Sequence, residues 1–104
     1  MFYEEGIRNN PNDFDLHTGA AWVYWRWLHN YPRATTLARE AADLAGDDLE
    51  RFQALWLVAH VRMTAGDTPG AIRAWREVGQ IPGYDAASRS GIARTLAQVR
   101  GKAQ

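Results

Sequence analysis

Cysteine is absent from the chain, which excludes disulfide staples, thiolate nucleophiles and most structural zinc arrangements. An excess charge of either sign is missing too. Twelve basic side chains balance twelve acidic ones, so no net field gathers a phosphate backbone or an anionic lipid surface. Neither nucleic acid nor membrane is therefore expected as a partner. No apolar run approaches the roughly 20 residues that cross a bilayer. The opening MFYEEGIRNN lacks the basic-then-apolar order of an export signal, so a cytoplasmic location is the default expectation.

Chemistry-bearing patterns are equally sparse. His17, His29 and His60 stand too far apart for two of them to form a metal pair on one helix. Asp47, Asp48 and Glu50 lack the glycine and the ligand spacing of a calcium loop, and read instead as helix-capping carboxylates. The serines and threonines occupy turns or sit beside arginines, with no glycine-flanked nucleophile turn and no phosphate loop. The expectation is a protein without catalysis, cofactor or metal.

What the chain does contain is helical periodicity. With 104 residues, 46% hydrophobic and 23% charged, it suits one ordered domain spanning residues 1–104. Apolar residues recur at intervals of three and four, as in Phe52, Leu55, Val58 and Ala59. That run opens on a capping box from Asp47 to Glu50 and ends at Gly66, whose backbone tolerates a helix stop. Asp13, Asn30, Thr68 and Asp85 stand where other helices need a side-chain acceptor, and Pro69 suits a first turn. Six helices are predicted, near residues 2–9, 14–28, 32–45, 49–65, 69–79 and 86–100, joined by short turns and thus antiparallel to their neighbours.

A period also emerges. Ala59, Ala71, Trp75 and Val78, followed by Pro82, resemble the small, small, large, small signature of the tetratricopeptide repeat, although Arg62 stands where the family commonly has an aromatic. One unit runs from Phe52 to Asp85, and the next begins at Ala86 with Ile92, Ala93 and Leu96 on packing positions. Upstream, Ala21 and Ala34 fit a looser unit over about 14–51, while Tyr3, Gly6, Ile7 and Pro11 resemble the second half of a repeat in a partial unit over 1–13. The resemblance implies an all-α, right-handed stack of antiparallel helix hairpins with its final helix over 86–104.

It further implies a protein-binding module whose inner face receives a peptide or partner helix. In this register the inner face carries Trp22, Trp25 and Arg26, then Gln53, Trp56, His60 and Met63, then Arg94, with Asp15, Thr18 and Ser90 alongside. Tryptophan and arginine are the side chains that most often anchor interfaces. Among Trp22, Trp25 and Trp27, at least one is expected to fill core space instead. Members that grip a terminal carboxylate use lysine and asparagine at places held here by Thr18, Trp22, Trp56 and His60, so that clamp is missing and an apolar, aromatic groove is expected. A homodimer through the terminal helices is the competing expectation, since Phe2, Tyr3 and Ile7 lack a neighbour on one side while Glu4, Glu5 and Arg8 face water.

Overall fold

A computed structural model describes residues 2–103, with side chains described through Gly101. Its order is α1 (Phe2–Asn9), α2 (Phe14–Arg26), α3 (Tyr31–Leu44), α4 (Asp48–Thr64), α5 (Thr68–Val78) and α6 (Asp85–Ala103). The molecule is all-α, with no strand among the described residues. Each helix packs chiefly on its sequence neighbours, and α2 additionally reaches α4. The helices form a slab with principal extents of 45 × 32 × 14 Å. Among the described residues, no helix is long and apolar enough to cross a membrane.

Local chemistry accounts for the helix starts. Asp13 accepts from the Leu16 amide at 3.0 Å, Asn30 from Arg33 at 3.2 Å and Asp47 from Glu50 at 2.8 Å. Two expected caps move. Asp67 rather than Thr68 caps α5, accepting from the Gly70 amide, and Asp85 is the first residue of α6 rather than a residue before it. The Asp47 box is also displaced, because Glu50 accepts from the Gly46 amide rather than from the cap residue's own N–H. Gly66, with φ 84°, ends α4 as its permissive backbone predicts. Helix α2 stops at Arg26, short of the expected residue 28, and the chain turns through His29 at φ 53°.

The core is a ladder of small residues between the helices. Ala20, Ala21, Ala34, Ala38, Ala41, Ala59 and Ala71 are all wholly buried, which lets helix backbones approach closely. The packing stripe His17, Ala20, Ala21 and Tyr24 of α2 recurs as Leu55, Val58, Ala59 and Arg62 in α4. In α6 it recurs as Ser88, Gly91, Ile92 and Thr95, one residue earlier than expected. Ala93 and Leu96 are consequently exposed rather than packed. The cause lies at Gly91, where even a Cβ would collide with the Trp75 indole. A glycine must face that ring, and this sets the rotation of α6.

At the other end, α1 is held by polar contacts that its sequence pattern assigned to water. Glu4 accepts from the Tyr24 hydroxyl at 2.9 Å and from Arg33 through both carboxylate oxygens, at 3.0 and 3.1 Å. Burial acts to raise the Glu4 pKa, but the hydrogen bonds from Arg33 and Tyr24 outweigh it, and the carboxyl ends below its ordinary value. Tyr3 packs against Gly19 and Ile7 against the core, leaving only Phe2 of the three broadly exposed, at 77%. A second ion pair, Arg39 with Glu77, ties α3 to α5.

Candidate functional site

Helices α2 and α4 each carry side chains at four-residue spacing along their shared face, and four residues make about one turn. Phe14, Thr18 and Trp22 follow one such line, and Phe52 and Trp56 the other. Between them lies a groove of about 390 Å³, completed by Asp15, Gly19, Gln53 and Leu57. Its walls are mainly aromatic and aliphatic, and Asp15 is the only charged side chain among them.

An aromatic cluster closes one end of this groove. The Trp22 and Trp56 rings stack at 6.3 Å and 12°, while Trp25 meets both rings edge-on, at 5.1 and 6.3 Å. Trp22 remains 44% exposed despite these contacts. Trp25 is the member that turns inward. At 6% exposure, its indole N–H donates to the Thr64 hydroxyl at 3.0 Å, and that hydroxyl donates to the His60 carbonyl at 2.9 Å. Trp25, expected among the partner-binding residues, is thus the tryptophan of the three that fills core space, and most of its surface secures α2 to α4.

Past the tryptophans the surface changes character. His60 lies 3.9 Å from the Trp56 ring, with Trp25 and Trp75 at 6.1 and 5.8 Å. Its Nε2 is buried without a hydrogen-bond partner. Desolvation, aided by the Arg94 cation, holds the imidazole below its ordinary value and so favours the neutral ring. Two guanidinium groups flank it, Arg26 at 5.2 Å over the Trp25 ring and Arg94 at 6.0 Å over Trp75. His60, Met63 and Gln98 are shared between a shallow depression of about 640 Å³ that includes Arg26 and a smaller one of about 100 Å³ that includes Arg94.

The structure therefore divides the expected inner face into two connected parts. Trp22, Gln53 and Trp56 line the groove with Asp15 and Thr18, whereas Arg26, His60, Met63 and Arg94 form the corner beyond it. Ser90 is exposed and lines neither. Phe14, Gly19, Phe52 and Leu57 in the groove, and Thr64 and Gln98 in the corner, were not assigned to this face from the sequence. The signal for the two phenylalanines was present in their spacing, four residues before Thr18 and Trp56. No group of three or more metal-ligating side chains occurs among the described residues. No family model matches the chain, and neither the curated proteins nor the solved structures contain a match.

Proposed function

We propose that this chain is a non-catalytic, tetratricopeptide-like interaction module that holds a peptide or partner helix along the seam of α2 and α4. The observation that carries this reading is the stacked pair of exposed Trp22 and half-buried Trp56 at the wall of an apolar groove. Large rings held in place by one another offer contact area at little entropic cost, and apolar patches of this kind on helical proteins mark contact surfaces. The repeated small-residue stripe supports the family reading, since its alanines stand at corresponding places in α2, α3, α4 and α5.

The test uses a segment selected from a random-peptide display and titrated calorimetrically. Wild type binds it, and Trp22→Ala or Trp56→Ala weakens binding by about 2 kcal/mol or more, as expected of central aromatic anchors. Circular dichroism of each variant confirms that the helices persist. Binding that ignores both substitutions would move the site elsewhere.

A second reading, self-assembly through the terminal helices, is favoured by a specific observation. Phe2 at one end and Leu96 and Val99 at the other are 77%, 42% and 37% exposed, so both ends of the stack present apolar surface. Light scattering across a concentration series distinguishes the readings. A mass that stays monomeric at high concentration excludes self-assembly.

A further inference from the structure

Arg26 and Arg94 are set apart from the other cations of the described residues by lying over tryptophan rings. Arg33 and Arg39 are paired with Glu4 and Glu77, whereas Arg26 and Arg94 rest over tryptophan faces and make no ion pair among the described residues. Among the described residues no carboxylate lines either depression at this corner, and His60 lies on the helix between those that carry the two guanidiniums. Both cations are thus already oriented by their rings, Arg94 also donating from Nε to the Ser90 carbonyl at 3.4 Å, and their terminal N–H groups remain available to an acceptor. Charge complementarity singles out an anion, and the apolar walls formed by Trp25 and Met63 favour one carried on an otherwise apolar chain.

Resting on the binding reading above, we propose that the Arg26–His60–Arg94 corner receives the carboxylate of an acidic side chain on the partner segment, whose neighbouring apolar side chain occupies the groove at Trp22 and Trp56. Spacing sets the separation of the two. Trp22 to Arg26 and Trp56 to His60 each span four helical residues, about 6 Å along the helix axis. An extended segment covers about that length in two residues, with both side chains on one face. The recognised pattern is an apolar residue and an aspartate or glutamate two positions apart.

Two blocked tripeptides test this, leucine–glycine–aspartate and leucine–glycine–asparagine, each acetylated and amidated so that the side chain is the sole difference in charge. They are titrated into the full chain while the indole and imidazole resonances are followed by NMR. The aspartate probe shifts the Trp22 and Trp56 indoles saturably and binds about tenfold tighter than the asparagine probe, the advantage expected of a charge-assisted contact. It also raises the His60 imidazole pKa, because an added carboxylate opposes the effect of Arg94. In the Arg26→Gln, Arg94→Gln double variant the aspartate advantage disappears while the asparagine probe binds as before. Equal affinity of the two probes for wild type overturns the carboxylate corner and leaves the groove reading standing. If neither probe moves the Trp22 or Trp56 resonances at millimolar concentration, both readings fail together.

Discussion

Gly91 carries more of the fold than its size suggests, since the Trp75 indole occupies the space of its absent side chain. Gly91→Ala is expected to overpack this contact and cost on the order of 1 to 3 kcal/mol, read as a lowered melting midpoint. The opposite choice at the helix crossings has the same sign, so Ala59→Leu and Ala71→Leu should each destabilise by a similar amount, both residues being wholly buried. His60 adds a pH dependence whose direction follows from its environment. Burial first, and Arg94 second, lower its folded pKa below 6.5, so protonation favours the unfolded chain. Its contribution to stability is full above about pH 6.5 and is lost as pH falls through the lower folded value. Denaturant midpoints measured between neutral and mildly acidic pH should decline for wild type, with His60→Gln removing this component of the decline. Single residues were also where sequence reading reached its limit. Helix α2 is apolar on most sides, with Ala20, Ala21, Trp22, Val23, Tyr24 and Trp25 in succession, so periodicity alone could not say which indole turns inward. The partner that decides it, Thr64, lies on another helix and is invisible to local spacing.

At the scale of the helix, legibility tracks how local the controlling interaction is. Asp13, Asn30 and Asp47 satisfy donors three residues ahead, and all three caps could be read directly from spacing. Asp47→Ala is expected to lose about 1 kcal/mol, seen as earlier fraying of α4 in hydrogen exchange, while Asp48→Ala changes little. The rotation of α6 was misread because it depends on a contact between Gly91 and Trp75 rather than on its own pattern. The attachment of α1 was misread for a related reason. Charged residues on a short helix ordinarily face water, but Glu4 is drawn inward by Tyr24 and Arg33 from the two helices that follow. Its lowered pKa makes that attachment conditional. Stability from Glu4 is present above its ordinary value of 4.5 and lost as pH falls through the folded value. Glu4→Gln should therefore release the amides of α1 to faster exchange near neutral pH without changing the protection of α4, and equal protection in α1 would show that apolar contacts alone hold it.

For the whole molecule, the organising fact is that helices meet mainly their sequence neighbours within a slab only 14 Å across its thinnest extent. Stability in such an array is close to a sum of helix and nearest-neighbour contributions, so protection from exchange should be greatest in α3 and α4 and least in α1 and α6. This places the aromatic groove beside the most protected elements, which keeps its walls fixed before a partner arrives. Neighbour-only packing has a kinetic consequence as well. Almost every close contact links segments near each other along the chain, so little loop-closure entropy is spent before contacts begin to reward it. Refolding is expected on the order of microseconds to milliseconds, resolved by temperature jump with tryptophan fluorescence. The junction of α2 with α4 must wait for α3 to form between them, as the Glu4–Arg33 and Arg39–Glu77 ion pairs must wait for α2 and α4. The indole cluster that defines the groove is accordingly among the late features to assemble, and its fluorescence should report a late step of folding.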